Sequence, residues 1–345
     1  MPKRNTSLKD MAAQLGVSIA TVSRALQDNP AISEATRKRV QALAREMDYT
    51  PNFLAQSFRT DSIPFIGVIV PHGVTLFYSS VLDGIETIAA QEGFAVIIMN
   101  SHESVEEERY NLQNLLNLHV AGIIVSVTQE TTDHSHFIDA ADRGIPIVCV
   151  ARAIPDKRFQ SVVADGAEAA YKATKHLYEQ GCRRIALLGG PNELTMVRER
   201  KHGYIEALHD FKLPVTPELV SCKTFDVEQA IENTTHLLSL PTPPDAILAL
   251  NDTLLFGAMK AIKAHGLRIP EDIALIGFTT VEYAEDITPA LSAIEDQSHK
   301  MGQTACQMLI DQIKNKNTNT PKLQKKVVPT IIKIRESSLY GRGKN

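Results

Sequence analysis

The sequence predicts a small all-α unit followed by a larger α/β body of two doubly wound lobes, and three observations carry this reading. Apolar positions in the first 50 residues recur at helical spacing over three short stretches. From Pro64 onward, short β-rich runs alternate with helix-length amphipathic segments. The length of 345 residues, with 43% hydrophobic and 22% charged side chains, suits about two globular domains and excludes a fibrous or wholly disordered chain.

Leu8, Met11, Ala12 and Leu15 fall at i, i+3, i+4 and i+7 behind Ser7 as N-cap, and Gly16 stops the helix. After the break Gly16-Val17-Ser18, a second helix capped by Ser18 gathers Val22, Ala25 and Leu26 on one face. A third runs from Ser33 to about Met47, with Val40, Leu43, Ala44 and Met47 inward and Arg37, Lys38, Arg39 and Arg45 outward. Two short helices meeting at a Gly-containing turn make a helix-turn-helix. On the second helix this leaves Ile19, Ala20, Thr21, Ser23 and Arg24 facing away from the core.

That face has the chemistry of a major-groove reader. A guanidinium such as Arg24 can donate two bonds to guanine, Ile19 and Ala20 offer apolar contact to thymine methyls, and Thr21 and Ser23 suit phosphate oxygens. Charge points the same way. The net charge is −4, but residues 1–61 hold nine Lys or Arg against six acids, a balance of +3 that leaves −7 on the remainder. By periodicity alone, the same helices also fit any three-helix bundle with a solvated polar face.

The run Leu8-Lys-Asp-Met-Ala-Ala-Gln-Leu-Gly-Val-Ser-Ile-Ala-Thr-Val-Ser-Arg-Ala-Leu26, followed by Tyr49-Thr-Pro-Asn52, strongly resembles the LacI/GalR family of bacterial transcription regulators. The resemblance implies an all-α helix-turn-helix DNA-binding domain over 1–50, with Ser18 joining the DNA-contacting residues. It also implies a hinge helix or linker over 51–61, in which Pro51, Asn52, Ala55 and Phe58 occupy the pattern's positions. The family's apolar wedge is usually Leu. The aromatic Phe58 can still unstack a base step from the minor groove, while packing between domains is its alternative role.

In the body, Phe65–Val70, Phe94–Met99, Ala121–Val127 and Pro146–Val150 read as buried parallel strands, followed by Ile185–Leu188, Leu219–Cys222, Ala246–Leu250 and Ile273–Ile276. Helical segments such as Ala167–Glu179 separate them, so two α/β lobes are the economical arrangement. Ligands of such sheets bind beyond the carboxyl ends of the strands, which places a small molecule between the lobes.

Asp83-Gly-Ile-Glu86, Arg200-Lys-His-Gly-Tyr204, Asn251-Asp252 and Ile269-Pro-Glu-Asp-Ile273 resemble the same family's two-lobed periplasmic-binding-protein-like core, and Ser292–Met301 its return crossover. The resemblance implies an effector-binding and dimerisation domain over 62–340, with lobe 1 at about 62–160 and 290–325 and lobe 2 at about 161–289 and 326–340. It implies effector contacts at Phe77, Tyr78, Asp165, Arg200, Phe225, Asn251 and Thr279. Aromatic faces can stack on a sugar, Asp165 can accept hydroxyl protons, and Arg200 can fork onto paired oxygens; Phe77 and Phe225 fit a core role equally well. The chain departs from the family where Gly277-Phe278-Thr279-Thr280 lacks the usual acid and where Ala151 stands in place of Asp before Arg152. On this reading a carboxylate acceptor for ligand hydroxyls is missing.

The polar run from Lys314 to Thr320 reads as a solvated loop and Gly341 to Asn345 as a frayed tail. Cys149, Cys182, Cys222 and Cys306 are too far apart for a metal-ligand pair, and His134 and His136 lack a third ligand, so no metal or other cofactor is expected. No apolar run approaches a spanning helix or a signal-peptide core, which predicts a cytoplasmic protein. Neither a phosphate-binding Gly-Lys loop, a dinucleotide fingerprint nor a nucleophile elbow occurs, which argues against an enzyme. The resemblance therefore implies a homodimeric transcription regulator, most often a repressor, that binds a near-palindromic double-stranded operator under control of a small effector, by family habit a carbohydrate, with a purine or a sugar phosphate as the alternatives that the aromatic pair and Arg200 leave open. No leucine heptads follow Ser338 to suggest a larger assembly. The rival readings are a solute-binding protein or a small-molecule enzyme on the same α/β fold, neither of which needs the first 60 or so residues.

Overall fold

The computed structural model describes residues 7–26, 28–47, 49, 63–73, 75–279, 284–315 and 325–340. The chain forms two compact units, Met1–Ile63 and Pro64–Asn345.

In the first unit, helix α1 (Leu8–Leu15) begins with a reciprocal cap: the Asp10 amide donates to Ser7 Oγ and the Ser7 amide to the Asp10 carboxylate. It ends at Gly16, whose φ of 66° lies in the left-handed region that glycine enters freely. Helix α2 (Ile19–Leu26) is capped by Ser18, whose Oγ accepts the Thr21 amide at 3.1 Å, and α3 (Glu34–Glu46) by Ser33. Met11, Val22, Ala25 and Val40 are fully buried where the three helices meet, with Leu43 beside them. Arg37 does not face outward as its helical position suggests. It folds back to donate to the Ile32 carbonyl at 3.2 Å, which leaves the side chain half-buried.

Strand β1 (Ile63–Val70) begins at the border and leads into the second unit, followed by α4 (Leu76–Gln91), β2 (Ala95–Asn100), α5 (Val105–Asn117), β3 (Val120–Val125), α6 (Ser135–Asp142), β4 (Ile147–Val150) and β5 (Gln160–Ala164). The unit continues with α7 (Gly166–Glu179), β6 (Ile185–Gly189), α8 (Thr195–Asp210), β7 (Val220–Cys222), α9 (Val227–Leu238), β8 (Ala246–Ala249), α10 (Asp252–Ala264), β9 (Ala274–Phe278) and β10 (Ser292–Glu295). Then α11 (Ser298–Lys314), β11 (Lys325–Val328) and β12 (Ile331–Lys333) complete it.

The strands form two six-stranded sheets, ordered β11-β5-β4-β3-β1-β2 and β12-β10-β9-β8-β6-β7. The strand order reverses beside β1 in one sheet and beside β6 in the other, and a doubly wound sheet opens a ligand crevice at such a point. In the second sheet only β12 runs antiparallel to its neighbour. Strands β3, β4, β6, β8 and β9 are buried along their whole length, so their uninterrupted apolar runs follow from helices covering both faces.

The chain passes between the lobes three times, after β5, after β10 and after β11. These crossings correct the expected borders. Gln160–Ala164 pairs with β4 and β11 in the first sheet, although 161 was expected to open lobe 2. Ser292–Glu295 pairs with β9 in the second sheet, although 290 was expected to return to lobe 1. Lys326–Val328, expected in lobe 2, completes β11 in the first sheet. Lys314, expected in a loop, ends α11 and pairs with Glu92; residues 316–320 and 341–345 lie outside the described residues.

Helices pack against each other closely in both lobes because glycine lines the contact. A Cβ on Gly203 of α8 would stand 1.9 Å from the Ala167 carbonyl oxygen of α7, and one on Gly302 of α11 2.0 Å from that of Val81 in α4. In an ordinary helix, Gly→Ala gains about 1 kcal/mol of helix propensity. Gly203→Ala is instead expected to lose about 1–3 kcal/mol, because α7 and α8 must separate. Urea unfolding of the purified protein reads the sign, and a stabilised variant would show that this packing yields easily.

Candidate functional site

The exposed side of α2 presents Ser18, Ile19, Ala20 and Arg24, with Ile19 48% exposed despite being apolar. Thr21 is half-buried and shares a 2.8 Å hydrogen bond with Ser18 Oγ, so both hydroxyls already serve the cap. Ser23 is a correction, since it is only 8% exposed. At 100° per residue it flanks Val22 and Leu26 on the buried stripe instead of lying opposite them. Asn52, Ala55 and Phe58 lie outside the described residues.

In the second unit, the carboxyl ends of both sheets frame a cavity of about 120 Å³, comparable to space that admits a single aromatic ring. Phe77 and Tyr78, at the start of α4 in the first lobe, face Phe225 and Phe278 of the second. The Tyr78 hydroxyl is bonded to Ser126 Oγ at 2.9 Å, and burial raises its pKa, so Tyr78 offers the cavity a fixed ring. Phe225 has its place because residue 190 is glycine: a Cβ there would lie 2.4 Å from the ring.

Two buried guanidiniums reach the same space. Arg152 grips Glu103 with both Nη atoms, at 2.8 and 2.9 Å, donates to the Val127 carbonyl at 3.1 Å and lies 5.5 Å from the Phe225 ring centroid across the cleft. Arg200 lies 3.6 Å above the Phe278 ring, donates to the Leu250 carbonyl and meets the Asp296 carboxylate at 2.6 Å. Burial raises the Asp296 pKa against the lowering effect of Arg200, and burial likewise raises that of Asp252. Asn251 spends its side-chain oxygen capping α10 at the Leu254 amide, 2.9 Å away, which leaves its amide nitrogen for a ligand. Thr279 lines the cavity, with its own amide bonded to Ile294.

Asp165 stands at the cavity's edge, between the lining residues Ala164 and Gly166; one oxygen of its carboxylate accepts the Thr330 amide at 2.7 Å and pins the passage from β11 to β12. The expected lack of a carboxylate is also overturned: Glu103, Asp252 and Asp296 all line the cavity.

The model for bacterial regulatory proteins of the lacI family matches residues 7–52, and that for a periplasmic binding protein-like domain matches residues 174–338. The HTH-type transcriptional repressor CytR of Escherichia coli strain K12 is 31% identical over 314 residues, covering 91% of this chain and 92% of that protein. The chain belongs to the LacI family. A lac repressor dimer solved on operator with the anti-inducer ONPF is 25% identical with a TM-score of 0.82, over 97% of this chain and all of that one. A transcriptional regulator CelR–cellobiose complex is 26% identical with a TM-score of 0.73, over 96% of this chain and all of that one.

As a LacI-family member the protein is a DNA-binding transcriptional regulator with an effector-binding core, and the relatives it matches are regulators of transcription, not enzymes. Among the described residues, no helix is long and apolar enough to cross a membrane and no cluster of side chains could hold a metal. The resemblance brought out Phe77, Tyr78, Arg200, Phe225, Asn251 and Thr279, all of which line the cleft. It missed Glu103, Arg152, Asp252 and Asp296. Asp252, Arg152 and Asp296 stood in stretches already singled out, whereas Glu103 carried no local signal.

Proposed function

We propose that this LacI-family protein is a cytoplasmic repressor without enzymatic activity that binds a near-palindromic operator as a homodimer, and that an uncharged, ring-bearing effector of carbohydrate type in the cleft controls it. The observation that carries the reading is the joining, in one chain, of a helix-turn-helix unit to a two-lobed body with an aromatic-walled cleft. Neither a solute-binding protein nor an enzyme has a use for the first unit. In each protomer α2 enters the major groove, Arg24 reads guanine, Ile19 and Ala20 touch thymine methyls, and Ser18 and Thr21 approach phosphates. Buried Ser23 packs rather than reads. The segment 51–61, with Asn52, Ala55 and Phe58, contacts the minor groove, where Phe58 acts as the wedge.

In the cleft, rings of Phe77, Tyr78 and Phe225 cover the faces of a sugar while carboxylates and Asn251 engage its hydroxyls, and the CelR relative was solved with cellobiose. Because the cleft lies between two lobes linked by three crossings, an effector that fits one lobe arrangement better shifts the population toward it. Selection of binding sites from a random duplex pool tests the DNA half. A near-palindrome is expected, and Arg24→Ala is expected to lose about 1–3 kcal/mol of guanine discrimination at one position of each half-site. An unenriched pool, or binding that depends on salt alone, contradicts the proposal.

A further inference from the structure

The cleft holds three carboxylates, Glu103, Asp252 and Asp296, against two guanidiniums, Arg152 and Arg200, while Glu199 and Lys325 at its edge pair with each other at 3.1 Å. Both guanidiniums are already paired, Arg152 with Glu103 and Arg200 with Asp296. The Arg200–Asp296 pair is almost dry, with side chains 5% and 10% exposed. Each partner nevertheless keeps one buried atom, Arg200 Nε and Asp296 Oδ1, with no hydrogen-bond partner among the described residues. A buried polar atom left in this way costs about 1–3 kcal/mol unless a ligand satisfies it.

We propose that Asp296 determines effector specificity by occupying the Arg200 guanidinium, so that the cleft rejects phosphate- and carboxylate-bearing ligands and accepts uncharged, hydroxyl-bearing ones. A hydroxyl both donates and accepts, so an uncharged ligand can bond either the unpartnered carboxylate oxygen or the unpartnered guanidinium nitrogen without breaking the Arg200–Asp296 pair. An anion cannot be accommodated so. It must displace a carboxylate that is 2.6 Å from Arg200, and it also meets Asp252, which neither guanidinium of the cleft engages. Rejection by like charge in a water-poor site is a stronger discriminator than the loss of one contact. The inference rests on the cleft being the effector site and concerns which charge that site admits.

Sulfate is a suitable probe because its charge does not change near neutral pH. Full-length wild type, Asp296→Asn and Asp296→Glu are titrated with sodium sulfate against sodium chloride at matched ionic strength, following heat of binding and melting temperature. Wild type and Asp296→Glu are expected to show no saturable sulfate binding, whereas Asp296→Asn, similar in shape but one charge poorer, is expected to bind at least about tenfold more tightly. Adding Arg200→Gln to Asp296→Asn should abolish that gain. The proposal is overturned if wild type binds sulfate within twofold of Asp296→Asn, or if the gain survives loss of Arg200. Should Asp296→Asn fail to fold, the wild-type arm decides, since saturable sulfate binding that glucose displaces overturns the proposal and its absence upholds it. Operator affinity measured in the same samples with cellobiose and glucose separates the two readings: a sugar-blind protein counts against the effector assignment, while the sulfate comparison still reports on Asp296.

Discussion

Replacing Arg152 with methionine is expected to destabilise the body by about 3–5 kcal/mol, because it strands the Glu103 carboxylate in a site where the partners are only 6% and 11% exposed. The pair also holds backbone. Glu103 accepts the Gln129 amide at 2.7 Å, and both Glu103 and Ala151, next to Arg152, have φ near +62°, a conformation that side chains other than glycine rarely adopt. The double variant Arg152→Met/Glu103→Gln keeps an acceptor for Gln129 and removes both charges, so it should recover most of the loss. Urea unfolding around the double-mutant cycle measures this coupling. If each single change costs less than about 1 kcal/mol and the two add, the pair is solvated and does not organise the cleft.

The first unit was legible because its helix ends are chemical: Ser7, Ser18 and Ser33 cap, and Gly16 stops. The central strands were legible because burial on both faces leaves an unbroken apolar run. The strands that escaped notice lie toward one margin of each sheet. Gln160-Ser161 opens β5, Lys325-Lys326 opens β11, and β10 and β12 are only four and three residues long. Such segments become strands through the neighbour they pair with, a tertiary effect that local pattern does not carry.

The cleft divided along the same line. Aromatic and amide positions followed from the family pattern, but Glu103 and Asp296 gain their roles only from partners 49 and 96 residues away. Thr279 looked like a lost carboxylate, yet Asp296, on a different strand end, supplies one to the same cavity. A charge can move to another strand end when all strand ends converge. Asp165 stands at the start of α7 as expected, and nothing in its local sequence signals that one of its oxygens also holds the Thr330 amide.

Glu108→Leu is expected to cost about as much as Arg152→Met, about 3–5 kcal/mol, through hydrogen bonds lost at a distance from the cleft. The Glu108 side chain is fully buried on α5 and accepts from the Thr128 amide at 2.8 Å, the Thr131 hydroxyl at 2.7 Å and the His136 ring at 3.0 Å. Leucine fills much of the volume and satisfies none of these donors, each of which costs about 1–3 kcal/mol when buried without an acceptor. Glu108→Gln keeps one oxygen but turns a donor toward donors, so it should lose about 1–3 kcal/mol. The segment from Ser126 to Thr131 also carries the Ser126 hydroxyl that holds Tyr78 and the Gln129 amide that holds Glu103. Loosening it therefore releases a ring and a carboxylate of the cleft together. Hydrogen exchange should show the Thr128 and Gln129 amides opening faster in both variants, with effector affinity falling in the same order as stability. Unchanged protection at these amides would mean that the carboxylates of the first lobe act separately, and that Glu108 serves only its own corner of the fold.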